Sequence, residues 1–182
     1  TSPVVVAPAM PCTKSAPISG PHPTGVSSTR PRILSPSRAA SEAVPRVEAI
    51  KLILAKPTTY MNESGAAVKA VAAFHKIPAD RVIAVHDELD LDPGRLRLKF
   101  GGGDNGHNGL KSIRAALGTG DYYRVRFGIG RPPGRQEPAD YVLRPIPASV
   151  RPDVEIEASR AADAVEALLS DGLADAQNRF NS

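Results

Sequence analysis

Between residue 50 and the C-terminal end, short apolar stretches alternate with stretches of helical periodicity. Short, mostly apolar runs at 50–55 and 81–85 predict buried strands, and alternating apolar and basic residues at 96–100 and 123–129 predict half-buried strands. Apolar residues at helical spacing predict a short helix near the C-terminal end and three longer helices, at 64–76, 109–117 and 151–169. Strands interleaved with helices indicate the α/β class, with helices packed on a mixed sheet.

Residues 1–48 lack this pattern. They contain nine of the eighteen prolines and none of the eight Phe and Tyr residues, and Pro, Gly, Ser and Thr fill 23 of the 48 positions. Such a segment buries too little apolar surface to offset its ordering entropy, so we expect disorder apart from a short extended piece at 4–7. It is poor in acidic residues and contains arginine and serine, as organelle transit peptides do. The sequence therefore divides into a disordered segment, 1–48, and one folded domain, 49–182.

The overall composition excludes few functions. The 182 residues carry a formal charge of +4, and +3 of it comes from five basic and two acidic residues in 1–48. So small a basic excess permits contact with nucleic acid but does not argue for it. Cys12 is the single cysteine, which excludes an internal disulfide and a zinc site built from cysteines. No run of about 18 apolar residues occurs, so the sequence predicts no membrane-spanning helix.

The sequence HDELD, at 86–90, directly follows the second apolar run. The carboxyl ends of strands are where open α/β sheets bind ligands, and a carboxylate there can orient a histidine. The acidic side chains of Asp87, Glu88, Asp90 and Asp92 could instead bind a divalent metal through oxygen. A polar turn between two strands explains the same residues without any function.

The sequence GGGDNGHNG, at 101–109, contains five glycines and leads into the second predicted helix. Glycine lets a backbone approach a ligand closely, and the amides at a helix N-terminus favour anions. The loop is neither GxGxxG nor a P-loop, since no lysine and Ser/Thr pair follows it in the place that a P-loop requires. The candidates in this loop for acid–base chemistry or hydrogen bonding to a ligand are His107 and Asn108. The alternative is a flexible hairpin in which Asn108 only caps the helix.

Two further patterns could serve a ligand or could be structural. Basic residues share one face of each alternating strand: Arg95, Arg97 and Lys99 on the first, Arg124 and Arg126 on the second. If the strands are neighbours, these five cations form one patch that could hold several phosphates; the alternative is the solvated face of a sheet. In the turn TTYMNESG, at 58–65, Met61 and Asn62 could grip a ligand, although asparagine is also a common helix cap.

Four segments, in this order and spacing, resemble bacterial peptidyl-tRNA hydrolase: KPTTYMNESG (56–65), VHDELDLDPGRLRLKFGGGDNGHNGLKSI (85–113), YRVRFGIGRPPGR (123–135) and DGLADAQNRFN (171–181). The resemblance covers about residues 50–182, and its 29-residue second segment makes it very specific. It implies a single-domain α/β/α sandwich with a mixed sheet and no metal or other cofactor. It also implies an enzyme that cleaves the ester between a peptide and the 3′ end of a tRNA, which recycles tRNA in translation.

The resemblance also implies roles for individual residues. Asp87 matches the carboxylate that orients the family's catalytic histidine, and Asn108 matches the amide that positions water or steadies the developing oxyanion. Met61 and Asn62 match residues of the channel for the peptide and the tRNA 3′ end, and His107 is assigned to substrate binding beside them.

The resemblance gives the basic strand faces a function. Lys99 and Arg126 match the cations that contact tRNA phosphate, so it favours a ligand-binding patch over a merely solvated face. The expected partner is peptidyl-tRNA. We expect a cytoplasmic monomer that is not bound to a membrane.

The N-terminal end departs from the family. Members begin with a strand that runs into a GLGNPG-like turn, and TRHN follows with the general-base histidine; residues 1–48 contain neither motif. The sequence STRP, at 28–31, comes nearest to TRHN, but Pro31 stands in place of histidine, so no residue is assigned as the base. We therefore expect the domain to lack the family's first strand, and whether the chain is active stays open. A shifted reading frame upstream of about residue 49 would explain the missing motifs together.

Two other functions stay open at this point. The first is a non-catalytic RNA-binding relative of the same family, with which a transit-like N-terminal segment is compatible. The second is a metal-dependent phosphotransfer enzyme that uses the acidic cluster between Asp87 and Asp92. The missing phosphate-binding lysine and the family resemblance both count against the second.

Overall fold

A computed structural model describes residues 51–181 and the backbone of residues 4–6. These residues form five strands in one sheet: β1 Val4–Val6, β2 Ile53–Ala55, β3 Val82–Glu88, β4 Leu96–Phe100 and β5 Tyr123–Gly128. The strands lie in the order β2-β1-β3-β5-β4; β4 runs antiparallel to β5, and the other neighbours are parallel. The predicted α/β class with a mixed sheet is therefore confirmed.

The described part of the chain also contains five α-helices: α1 Ser64–Phe74, α2 Asn108–Leu117, α3 Pro138–Val142, α4 Arg151–Ser170 and α5 Leu173–Phe180. Two short 3₁₀ turns, Met61–Glu63 and Ala79–Arg81, precede α1 and β3. The helices α1, α2 and α4 agree with the predicted ones to within two residues at each end. The sequence analysis missed α3, because five residues with no buried side chain give no apolar period.

The sheet is covered on both faces because its strands alternate between two apolar clusters. In β3, Val82 and Ala84 pack with α1 and α2, whereas Ile83 packs with α4 and α5. Successive side chains of a strand point to opposite faces, which accounts for this division. The domain thus has the predicted three layers, helix, sheet and helix.

A short strand inside the sheet corrects one expectation. Val4–Val6 pairs in parallel with β2 on one side and with β3 on the other. Loss of the family's first strand would leave open strand edges inside the sheet. In the structure, residues 4–6 lie there and pair with the strands on both sides. The prediction of an extended piece at 4–7 is confirmed for residues 4–6. Residues 1–3 and 7–50 lie outside the described residues, so their expected disorder stays a prediction.

The strand β3 is longer than its apolar run. The sequence predicts an end at residue 85, but β3 continues to Glu88. The extension pairs with β5, from His86 against Arg126 to Glu88 against Gly128. Backbone pairing does not require apolar side chains, so a pattern of apolar residues misses it. The interpretation of HDE as a polar turn is therefore wrong, and these three residues belong to a strand.

Side chains from the C-terminal end complete the hydrogen bonds of the edge strand β4. The N–H of Leu98 donates to Oδ1 of Asn181 over 2.7 Å. The carbonyl oxygen of Leu98 accepts from Asn181 Nδ2 at 3.2 Å and from Gln177 Nε2 at 2.9 Å. An edge strand presents unpaired N–H and C=O groups, and the amide of Asn181 pairs with both as a neighbouring strand would. The segment DGLADAQNRFN therefore fastens α5 to the sheet.

Candidate active site

The acidic end of β3 and the start of α2 meet at one hydrogen bond. Nε2 of His107 lies 3.0 Å from Oδ1 of Asp87, and both side chains are mostly buried. Asp87 reaches this place because β3 ends at the carboxyl edge of the sheet. His107 reaches it because it ends the glycine loop, defined here as residues 101–107, directly before α2. Two motifs of the sequence therefore share one site.

The second ring nitrogen of His107 fixes its tautomer. Nδ1 accepts a hydrogen bond from the N–H of Leu110 at 3.2 Å, so His107 is the N-cap of α2. An acceptor at Nδ1 leaves the proton of the neutral ring on Nε2, which donates it to Asp87. Asn108, the expected cap, is instead the first residue of the helix, and it is exposed. The amide of Asn108 is thus available to a ligand.

The carboxyl group of Asp87 is held in its charged form. Burial raises its pKa, but the hydrogen bond from His107 lowers it, and the pKa of Asp87 ends below its ordinary value. Asp87 is therefore a carboxylate at neutral pH. A carboxylate accepts hydrogen bonds and stabilises a positive charge that forms beside it.

His86 supports Asp87 from inside the sheet. It is 3% exposed, and its Nδ1 donates to the main-chain oxygen of Asp87 over 2.7 Å. Its ring meets that of His107 edge to face, with 5.0 Å between the ring centres. Burial, and then the proximity of His107, lower the pKa of His86 to about 4, so the ring is neutral at physiological pH. His86 thus fixes the backbone at Asp87 without adding charge.

The turn that carries Met61 and Asn62 packs against the start of α2. A side-chain carbon added to Gly109 would lie 2.9 Å from Cε1 of His107 and 3.1 Å from Cγ of Met61, so only glycine fits there. Asn62 is exposed beside Met61 and does not cap α1, which begins without a side-chain cap hydrogen bond. The structure therefore brings Met61 next to the histidine that Asp87 holds.

The basic faces of β4 and β5 are adjacent. In the antiparallel register Arg97 lies opposite Arg126, and Lys99 lies opposite Arg124. Arg126 donates through Nε to Oε2 of Glu88 at 2.9 Å, and Arg124 is only 1% exposed. The prediction of five surface cations is therefore wrong for Arg124, which is covered by the glycine loop. Desolvation, and then the charges of Arg126 and Arg124, lower the pKa of Lys99.

Arginines hold the other acidic residues of HDELD. Glu88 pairs with Arg126, and Oδ1 of Asp90 accepts from Arg131 Nε at 2.8 Å and from its Nη2 at 2.5 Å. Within residues 51–181, no group of three or more His, Cys, Asp or Glu side chains is arranged to hold a metal ion. A metal-dependent phosphotransfer site therefore has no support in this part of the chain.

Comparison with known proteins decides the family. The family described as peptidyl-tRNA hydrolase matches residues 30–182. A peptidyl-tRNA hydrolase of Cutibacterium acnes is 62% identical over 143 residues, which cover 79% of this chain and 72% of that protein. The chain belongs to the peptidyl-tRNA hydrolase family. Another peptidyl-tRNA hydrolase, from Frankia alni, is 54% identical over 151 residues, which cover 83% of this chain and 77% of that protein.

The fold agrees with solved members of the peptidyl-tRNA hydrolase family. A crystal structure of peptidyl-tRNA hydrolase from Acinetobacter baumannii superposes with a TM-score of 0.61 at 33% sequence identity. The superposition covers 73% of this chain and 66% of that one. The family match starts at residue 30, whereas the sequence analysis placed the resemblance from about residue 50. The resemblance and the fold that it implies are confirmed.

Family membership leaves the individual roles of the seven predicted residues as predictions. The structure joins Asp87 to His107 and places the side chains of His107 and Met61 on either side of Gly109. Asn62 and Asn108, which directly follow Met61 and His107 in the chain, are exposed. Lys99 and Arg126 lie on adjacent strands, and Nζ of Lys99 borders the glycine loop at Gly102. None of the helices among the described residues is long and apolar enough to cross a membrane.

Near the site, sequence reasoning assigned no role to Tyr60 and the wrong exposure to Arg124. Tyr60, directly before Met61, is 80% exposed, and an aromatic residue in a turn was its only signal. Arg124 is buried under the glycine loop, whereas the alternation of β5 predicted that its side chain faces solvent.

His86 makes stability depend on pH in a defined direction. Its pKa is about 4 in the folded protein against an ordinary 6.5, so the unfolded chain binds the proton first as the pH falls. We expect this residue to lower the free energy of unfolding by roughly 3 kcal/mol between neutral pH and pH 4. Urea denaturation across that range measures the slope, which His86→Asn should flatten.

His75→Asn is the matched control for this measurement, because His75 is exposed just after α1. Its stability profile should follow that of the wild type at every pH. A His86→Asn chain that keeps the wild-type slope would show that the burial of His86 does not set it.

Proposed function

We propose that this chain binds the acceptor end of peptidyl-tRNA in a site arranged to hydrolyse the ester between peptide and tRNA. The observation that carries the proposal is the hydrogen bond between Asp87 and His107, beside the exposed amide of Asn108. The family match and the similarity to peptidyl-tRNA hydrolases of Cutibacterium acnes and Frankia alni support it.

Ester hydrolysis by water needs three groups. A base takes the proton of the water, a carboxylate stabilises the charged base, and a hydrogen-bond donor stabilises the oxyanion. Asp87 supplies the carboxylate. Asn108 supplies a donor in the first turn of α2, where the helix dipole also favours negative charge. Met61 lies beside Gly109, the residue after Asn108. Met61 and the exposed amide of Asn62 contact the substrate around the reacting ester.

None of the three histidines between residues 51 and 181 is free to act as the base. Both ring nitrogens of His107 are engaged, and His86 is buried in the sheet. His75 lies exposed at the end of α1 away from Met61. A positioned base contributes about 10²–10⁴-fold to rate. The residues that the structure describes therefore supply no base, and if the rest of the chain supplies none, hydrolysis is slower than in its relatives by about that factor.

Non-catalytic RNA binding is the second candidate function. The observation that favours it is the engagement of both nitrogens of His107, which leaves no described imidazole for proton transfer at Asp87. In that case the cations and the exposed turn at Met61 bind the acceptor end, and the ester stays intact. Measured turnover separates the two candidates.

Contacts to RNA come from cations and from one aromatic ring. Lys99 and Arg97 lie side by side on β4 and can approach phosphate groups directly. Arg126 can bind a phosphate group through its remaining N–H groups while its Nε stays hydrogen-bonded to Glu88. The ring of Tyr60, 80% exposed beside the site, can stack on an unpaired base at the 3′ end.

The same proposal includes the setting in which the protein works. A substrate made by the ribosome places the chain in the cytoplasm. The edge strand β4 is covered by Asn181 and Gln177, which blocks strand pairing between copies at that edge and supports a monomer. The chemistry assigned to Asp87 and Asn108 uses no cofactor.

Chemical rescue tests the hydrolytic arrangement. In single-turnover assays with peptidyl-tRNA, we expect the full chain to react about 10²–10⁴-fold more slowly than the Cutibacterium acnes relative, because no histidine between residues 51 and 181 is free to act as the base. Free imidazole should accelerate the reaction, since it can enter beside Asp87 and take the proton. Asp87→Asn should abolish this acceleration, because the imidazolium loses its carboxylate.

Asp80→Asn is the control for the rescue, because Asp80 is an exposed carboxylate in the turn before β3. It should respond to imidazole as the wild type does. Turnover at the rate of the relative without imidazole would contradict the missing base, and loss of turnover with EDTA would contradict the metal-free site. Bound peptidyl-tRNA that imidazole never cleaves would favour the non-catalytic alternative.

Salt dependence tests the phosphate contacts. Lys99→Ala should weaken the binding of tRNA and lower the slope of log K against log salt by about one, because one phosphate contact is lost. Fluorescence titration with a tRNA acceptor-stem oligonucleotide at several salt concentrations measures the slope. Lys69→Ala, an exposed lysine on α1, is the control and should leave the slope unchanged. The assignment of Lys99 fails if both variants keep the wild-type slope.

A further inference from the structure

Arg124 is buried without a carboxylate partner. The residue is 1% exposed, although the alternation of β5 predicts that it faces solvent. Among the described residues, no Asp or Glu oxygen lies within 4.0 Å of its guanidinium. Burial of a cation is costly, so the hydrogen bonds that it makes have to offset that cost.

The guanidinium of Arg124 connects the two loops that flank α2. Nη1 donates to the carbonyl oxygen of Gly103, and Nη2 donates to that of Gly102 at 2.7 Å, both before the helix. Nη2 also lies 3.4 Å from the carbonyl oxygen of Gly120, after the helix. The guanidinium carbon is 4.7 Å from the centre of the Tyr122 ring. One side chain therefore holds the backbone at both ends of α2.

The glycine loop has the backbone that this contact requires. Gly101 and Gly102 have φ angles of +68° and +98°, in the left-handed region that favours glycine. As a result, neighbouring carbonyl groups of Gly102 and Gly103 both accept from one guanidinium. The planar guanidinium of arginine can donate to two neighbouring carbonyl oxygens at once, whereas the ammonium group of lysine acts as a single point charge.

We propose that Arg124 is a positioning residue, which fixes the glycine loop so that His107 and Asn108 lie beside Asp87. His107, at the end of the loop, bonds to Asp87 and Leu110. Within the loop, the N–H of His107 donates to the carbonyl of Asp104 at 2.8 Å, that of Gly106 to Oδ1 of Asp104 at 3.3 Å, and that of Gly101 to the carbonyl of Tyr122 at 2.9 Å. Ordering a glycine-rich loop costs more entropy than ordering other residues. The hydrogen bonds of the Arg124 guanidinium offset this entropy cost.

This inference rests on the proposed function for the purpose of the site, but the loop itself can be measured without any turnover. Arg124→Lys keeps the charge and cannot donate to both carbonyl groups. The amide protons of His107 and Leu110, which close the loop and the cap, should then exchange with solvent about 10- to 100-fold faster. Amide protons of the central strand β3 should keep their wild-type rates.

Hydrogen exchange followed by NMR on the full chain gives these rates. The ring ¹⁵N signals of His107 in the same samples should move towards the average of its two tautomers, which a loss of stability alone would not cause. Arg179→Lys is the matched control: its guanidinium carbon lies 5.3 Å from the Phe180 ring, and its side chain makes no hydrogen bond to the described residues. This control should leave both readouts unchanged.

Wild-type exchange at His107 and Leu110 in a folded Arg124→Lys chain would overturn the inference. If that variant does not fold, the wild-type guanidinium decides, because an arginine held at both Nη atoms shows separate, slowly exchanging Nη protons. A single averaged Nη signal would also overturn it. If the loop responds as expected while the wild type fails to bind peptidyl-tRNA, the proposed function fails and the role of Arg124 stands.

Discussion

The hydrogen bond between Asp87 and His107 joins two parts of the protein that differ in rigidity. Asp87 lies on β3, which is inside the sheet with β1 and β5 on either side. His107 ends a loop whose glycines leave the backbone many conformations, so the bond forms only if that freedom is removed. The cap at Leu110 and the guanidinium of Arg124 both restrict the loop, and Met61 packs where only glycine fits at the start of α2. The site therefore depends on how the loop is held against the end of the strand.

Buried polar groups gather around this bond. His86 donates to the main chain of Asp87, and Glu88 forms a mostly buried pair with Arg126. Buried ion pairs contribute little net stability, because the loss of hydration offsets their attraction. Perturbed and buried ionisable groups concentrate at functional sites more often than elsewhere. Their presence at the carboxyl end of β3 is explained by the site rather than by the stability of the sheet.

The sequence predicts the elements of the fold where one face of each is apolar, as in α1, α2 and α4. The sequence does not predict the polar end of β3, because backbone pairing with β5 does not require apolar side chains and so does not appear in the hydropathy pattern. It places Arg124 in solvent, because the loop that covers this residue is close only in the folded chain. Helix-cap propensity assigns the N-cap of α2 to Asn108. In the structure the N-cap is His107, which also forms the hydrogen bond to Asp87. Motif spacing thus proposed residues for the candidate site, and long-range contacts determine how those residues are arranged.

The tautomer of His107 tests this arrangement most directly. In ¹H–¹⁵N NMR spectra of the full chain at neutral pH, the ring should carry its proton on Nε2, with Nδ1 unprotonated. Asp87→Ala should remove this preference, because the acceptor that fixes the proton is lost. A proton on Nδ1 in the wild type, or a ring that averages both tautomers whether or not Asp87 is present, would contradict the account.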